Sequence, residues 1–236
     1  MSLLSVVKDV CTLVGVTVPT AVIPGIDGNR TMQEMRALAN EVARRIAYDT
    51  REWTRLKVQA TIEGDGVTTA WDLPVNFKRM LLTSNVWSNI QAQTPLLFVP
   101  DTDAWLQRRM MNSSDARGEW TIYGGQIHIF PPLPGPPPEG GAGAKAAYPY
   151  LDKNCIKLDG GGYSDAFMTD EDQFVLDERL LKLGMIWQWK AHKGSPYAED
   201  MGSFSDALVI SMGADSPAPI IVGRGGIYTS GAPLWP

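Results

Sequence analysis

Apolar residues in this chain recur every three to four positions near both ends and every second position in between, and this change of period constrains the fold more than any single motif. Leu3, Leu4, Val7, Val10, Cys11 and Val14 predict a first helix that stops at Gly15. After a loop with Pro19, Pro24, Gly25 and Gly28, Thr31-Met32-Gln33-Glu34 has capping-box spacing, in which the threonine oxygen takes a free backbone amide and the glutamate reaches back. Met35, Leu38, Val42 and Ile46 then form one stripe of a second helix of about five turns. Helical spacing returns over 176–193 and 196–211, split by Gly194, with Ser195-Pro196 as a cap and first-position proline. A helix must bury its apolar stripe, so segments from the two ends have to build one core.

Between them, Val58, Ala60 and Ile62 alternate with polar residues, Gly64-Asp65-Gly66 turns the chain, and 68–73 returns, which predicts a hairpin. A strand is expected within 77–87 and a short helix over 100–111, started by Asp101 or Asp103. EWTIY and QIHIF flank Gly124-Gly125, and two glycines tolerate the positive φ of a two-residue turn, so a second hairpin is expected there. The stretch PPLPGPPPEGGAGAKAA, 131–147, has no period and reads as a mobile loop, with 148–158 returning as a strand. The last segment is rich in Gly and Pro yet carries Ile220, Ile221, Val222, Ile227, Tyr228 and Trp235, which disordered tails lack. The expected class is therefore α+β. A small helical bundle comes from 1–56 and 169–211, with a β-rich insert at 57–168 and an extended C-terminal arm at 212–236.

The segment 176–193 is the most informative. At about 100° per residue, Leu176, Leu180, Leu183, Gly184, Trp187 and Ala191 share one face, and Leu181, Met185, Trp189 and His192 make another. Arg179, Lys182, Lys190 and Lys193 form a basic stripe between them. Two apolar faces require burial on two sides, either inside the monomer or against a neighbouring subunit. The following helix is simpler, with Tyr197, Met201, Phe204 and Leu208 in one stripe.

Few residues point to chemistry. His128 and His192 are the only histidines, too few for a metal site of histidines, and they read as a strand residue and a helix C-terminal cap. Cys11 and Cys155 lie far apart, lack zinc-site spacing, and are expected as free thiols in a reducing compartment. Gly160-Gly161-Gly162 and Gly223-Arg224-Gly225-Gly226 do not sit between a strand and a helix, as phosphate cradles must. Asp170, Glu171, Asp172, Asp177 and Glu178 offer carboxylates for glycoside hydrolysis or a hard cation, but also read as caps at a helix start. Trp71, Trp87, Trp105 and Trp120 read as sheet aromatics or as a sugar-stacking platform. A formal charge of −5 disfavours tight DNA binding through phosphate neutralisation. The N-terminus makes a poor signal peptide, since Lys8 and Asp9 interrupt it, and no membrane-spanning run is expected.

Three stretches carry a resemblance. W-x-L-P-x-x-F-x-R (Trp71, Leu73, Pro74, Phe77, Arg79), IHIFPPLPGPPPEG and DERLLKLGMIWQWKAHKGSPYAED make the chain, over most of 1–211, resemble the head-to-tail adaptor (connector or head-completion) proteins of short-tailed bacteriophages. The resemblance implies a structural virion protein at the head-tail junction, made in the host cytoplasm. It further implies a dodecameric ring that docks under the portal protein, meets a tail nozzle or hub protein below, and lines a channel for passing genomic DNA. It implies no enzyme activity, no cofactor and no metal. On this reading Met185, Trp189, Leu181, Arg179 and Lys182 meet a neighbouring subunit, and Ile220, Ile221, Val222, Ile227, Tyr228 and Trp235 bind the portal. The alternatives are a cell-wall glycosidase using the acidic cluster and a carbohydrate-binding tail module using the insert.

Overall fold

The computed structural model describes residues 2–23, 29–90, 94–137 and 143–215, with the backbone of 222–223 and 226–227. The fold is α+β, and the chain divides into two compact units, Met1–Arg55 with Ile156–Pro236, and Leu56–Cys155. The second boundary falls ahead of the expected 168 because the strands just after it pair among themselves in the first unit.

The first unit holds α1 (Leu3–Val14), α2 (Arg30–Tyr48), α4 (Glu178–His192) and α5 (Ala198–Ala214). Gly15 ends α1 in the left-handed conformation at φ 73°, as its position predicts. The cap of α2 is Asn29, whose side chain accepts from the Met32 amide, so the helix starts at Arg30, ahead of the expected Thr31. α4 packs against α1, α2 and α5. Val7 and Val10 of α1, Met35 and Ile46 of α2 and Leu180 of α4 are fully buried in this core, each worth about 1.5–3 kcal/mol of apolar burial.

A small sheet completes this unit: β9 (Ile156–Lys157) lies between β10 (Tyr163–Ser164) and β11 (Gln173–Phe174). Gly161 and Gly162, at φ 91° and 85°, form the turn from β9 to β10, so the triple glycine is a hairpin connection. β12 (Val222–Gly223) and β13 (Gly226–Ile227) form a two-residue antiparallel ladder.

The second unit holds β1 (Lys57–Glu63), β2 (Ala70–Asp72), β3 (Phe77–Met80), β4 (Trp87–Ser88), β5 (Leu97–Phe98), α3 (Thr102–Met110), β6 (Glu119–Tyr123), β7 (Gln126–Phe130) and β8 (Lys145–Asp152). One sheet pairs β8 with β1, β3 and β4, and the other runs β2-β7-β6-β5. The β6–β7 hairpin turns at Gly124 and Gly125, φ 63° and 78°, as the double glycine predicts. The expected first hairpin is not formed: β1 pairs with β8 and β2 with β7. The Asp65 carboxylate accepts from the Val67 and Thr68 amides and the Thr68 hydroxyl, which turns the chain away from β1.

The proline tract is anchored on both sides of 138–142, which lie outside the described residues. Gly66 N donates to Leu133 O at 2.9 Å and Ala144 N to Pro134 O at 2.8 Å, while the Leu133 side chain is buried in the insert core. A Cβ on Gly64 would lie 2.5 Å from Leu133 O, so only glycine lets these backbones meet. The expectation of a mobile loop across all of 131–147 is thus corrected for 131–137 and 143–147.

Candidate functional site

Asp177 caps α4 by accepting a hydrogen bond from the Arg179 amide at 2.8 Å, and the Ser211 hydroxyl donates to its other oxygen at 3.2 Å. Midway along, a Cβ on Gly184 would lie 2.5 Å from Val42 Cγ1 and 3.3 Å from Phe204 Cε2. α2 and α5 therefore reach α4 only because position 184 has no side chain. Gly184→Leu is expected to destabilise the chain by about 1–3 kcal/mol through overpacking, read as a lower urea midpoint. An unchanged midpoint would contradict the close approach.

The faces of α4 correct one sequence expectation. Leu181, Met185 and Trp189 are 1%, 0% and 7% exposed in the single chain, so they are core and not a surface for a neighbour. The physical reason is that helices from both chain ends flank α4, which covers its second apolar face without another copy. Trp187, on the other apolar face, is half-buried, with the rings of Tyr197 and Phe204 at 6.4 and 6.2 Å.

The basic stripe ties α4 to three helices. Lys182 meets Asp9 of α1 at 3.3 Å, Lys190 meets Asp200 of α5 at 2.6 Å, and Lys193 meets Glu34 of α2 at 2.7 Å. Such partly exposed pairs are worth about 0–1 kcal/mol each, so they orient more than they stabilise. The Lys193 ammonium also stands 4.6 Å over the Trp189 ring. Hydrogen bonds from Lys193 and Arg30 hold the Glu34 carboxyl below its ordinary range.

Arg179 and Lys182 line a groove of about 680 Å³ at the start of α4, with Arg55, Asp177 and Asp215 and an apolar floor that includes Val6, Trp53 and Leu176. Its polar groups are largely committed. Asp215 accepts from the Thr54 amide at 2.9 Å and its hydroxyl, and Arg55 donates to Val175 O at 3.1 Å.

The acidic cluster is an anchor. The Asp172 side chain is fully buried and accepts from the amides of Asp159, Met168 and Thr169 and from the Thr169 hydroxyl, at 2.6–3.1 Å. Burial alone would push its carboxyl up, but these bonds outweigh that and hold it below its ordinary value. Asp170 takes the Val22 and Ile23 amides, and the carbonyls of Asp172 and Asp170 accept from Leu3 N and Leu4 N at 2.9 and 3.0 Å. This satisfies the first turn of α1, whose Ser2 provides no side-chain cap.

No family model and no curated protein matches the chain. Among the described residues, no helix is long and apolar enough to cross a membrane, and no group of three His, Cys, Asp or Glu side chains could hold a metal ion.

In the insert, Trp105 and Trp120 are buried and Trp87 is exposed, so the tryptophans do not share one open platform. His128 stacks on Tyr123 at 3.8 Å, and burial first, then the Arg109 charge, pushes its imidazole below the ordinary value against a hydrogen bond that it donates to the Tyr123 backbone. Of the arm residues, Ile220, Ile221, Tyr228 and Trp235 lie outside the described residues, and Val222 pairs with Ile227 through the backbone.

The surface that the sequence reading missed is the outer side of α5. Val209 and Ile210 are 68% and 70% exposed. A signal existed, because both are large apolar residues that fall off the stripe drawn through Phe204 and Leu208.

Proposed function

We propose that this chain is a structural head-to-tail adaptor of a tailed bacteriophage. In this reading its copies form a dodecameric ring between portal protein and tail nozzle or hub, at the virion's head-tail junction, and line the channel through which genomic DNA passes. The chain works as a joining part and not as a catalyst, and needs no cofactor. Its helical unit acts as the bundle of the ring, and the arm, which starts after α5 ends at Ala214 and not at the expected 212, engages the portal.

The observation that carries the reading is the chain's division into a helical unit drawn from both chain ends and a β-rich unit inserted between them. That is the arrangement the resemblance implies. Two further points support it. Of the carboxylates on which a glycosidase could draw, Asp170 and Asp172 are spent on backbone amides of the chain itself. The formal charge of −5 suits a wall past which DNA slides without sticking.

Gradient sedimentation with portal rings from the genome that encodes the chain tests the proposal. The full chain should co-migrate with the rings, close to one copy per portal subunit. A chain that stays at the top of a gradient containing intact portal rings would sink the reading. Truncation after Asp215, which keeps α5 and the Asp215 bonds to Thr54, should weaken this co-migration by removing the arm, and undiminished binding would remove the arm's role.

A further inference from the structure

The groove at the start of α4 lies where the chain passes from α5 into the arm. Its wall includes Ser211, Ala214 and Asp215, the last turn of α5 and its cap. The exit is pinned there: Asp215 takes the Thr54 amide and hydroxyl and meets Arg51 at 3.7 Å, and Arg51 also donates to Met212 O. Beyond it the sequence runs Ser-Pro-Ala-Pro-Ile-Ile-Val over 216–222. Pro217 disfavours a helical conformation at Ser216, and neither Pro217 nor Pro219 can continue a helix, so α5 has to stop at the groove. At no more than about 3.6 Å per residue, Ile220 can reach about 18 Å from Asp215 and Val222 about 25 Å.

Size and chemistry select the occupant. A groove of about 680 Å³ has walls of a few hundred Å², well short of the about 1,200–2,000 Å² that a stable contact between separate proteins buries. A tethered segment needs far less, because a short tether holds it near millimolar concentration and a weak contact is then populated. The floor is apolar, at Val6, Trp53 and Leu176, while Asp177, Asp215, Arg55 and Lys182 are already engaged within the chain. That suits aliphatic side chains more than a charged ligand. Other apolar residues of this unit are exposed, but none of them lines the groove. Tyr197 and Met201 lie at least about 20 Å back along α5. Val209 and Ile210 stand on the outside of a helix, and Leu13, Val18, Tyr163 and Met168 are on other segments.

We propose that in the free chain the groove holds the first part of the chain's own arm, with Ile220 and Ile221 against Val6, Trp53 and Leu176, and that binding to the portal draws the arm out. The second step rests on the adaptor reading and names what the arm does before assembly. An arm held in its own groove is released only by a partner that binds the released form better.

Cross-linking within the free chain tests the contact. Val222→Cys is paired in turn with Arg179→Cys on the groove rim and with Val209→Cys or Tyr163→Cys on the exposed apolar surface outside it. Each double variant is treated at high dilution with a short bis-maleimide. Cys11 and Cys155 are fully buried, and burial pushes the Cys11 thiol up, so the introduced thiols are the reactive ones. The expected product is a linked single chain that forms at least about ten-fold faster from the Arg179→Cys pair than from the other two. Equal rates, or a faster rate at either outer position, would overturn the contact, as would a product joining two chains. Adding Ile220→Asp with Ile221→Asp should bring the Arg179→Cys pair down to the rate of the others at an unchanged melting temperature, and an unchanged rate would also overturn it. Portal rings should slow the same reaction, and a rate that portal-bound chains keep would overturn the release step. Chains that do not bind portal rings would sink the adaptor reading and that step with it, while the free-chain rates judge the groove contact on their own.

Discussion

Replacing Trp189 with alanine lowers the unfolding free energy by about 3–5 kcal/mol, the range for truncating a buried large aromatic. Trp187→Ala, two residues away, costs less, about 1–3 kcal/mol, because that ring is only partly buried. The contrast follows from where each ring sits. Trp189 is 7% exposed on a helix flanked by α1, α2 and α5, and it also loses the Lys193 ammonium above its ring. Trp187 is partly exposed and stands beside the rings of Tyr197 and Phe204. Urea denaturation of the two variants checks the order of the effects. Equal losses, or a greater loss for Trp187→Ala, would return Trp189 to the outer surface and reopen α4 as a subunit contact.

The second large effect is at Asp172. Asp172→Ala removes the acceptor for three part-buried amides and one hydroxyl at once, and it loosens the segment whose carbonyls complete the first turn of α1. A lost hydrogen bond to a charged acceptor costs about 1.5–3 kcal/mol, and water reaches some of these donors, so a loss of about 3 kcal/mol is expected for the four together. The pH dependence has a definite sign. The Asp172 carboxyl lies lower in the folded chain than its ordinary value, so its stabilisation is complete above about pH 4 and is lost as pH falls through the folded value. Asp172→Asn should therefore be less stable than the unaltered chain at pH 7, and the gap should narrow below about pH 4. A gap that stays constant down to about pH 2 would show that the carboxylate charge contributes nothing.

Much of the fold was legible because local chemistry decided it. Gly15 ends α1, Gly124 and Gly125 turn β6 into β7, and Asp101 caps α3, each by a rule that acts over a few residues. Strand partners were not legible. Val58, Ala60 and Ile62 alternate as a strand must, yet nothing in that period names β8 as the partner of β1. Likewise the two apolar faces of α4 could be read, but not what covers them. That depended on α1, α2 and α5 all meeting one helix, a property of the tertiary arrangement. The acidic cluster was ambiguous for a similar reason, since the amides that claim Asp170 and Asp172 come from 22–23, 159 and 168–169. On α5, a stripe drawn from Phe204 and Leu208 drew attention inward, and the exposed pair Val209 and Ile210 was left out.

The most direct measurement is electron microscopy of the purified chain mixed with portal rings. The adaptor reading predicts class averages with an added layer of density on one face of the portal, repeating with the ring's symmetry, and none of that layer when the chain is omitted. Bare portal rings beside a folded, unattached chain would contradict it.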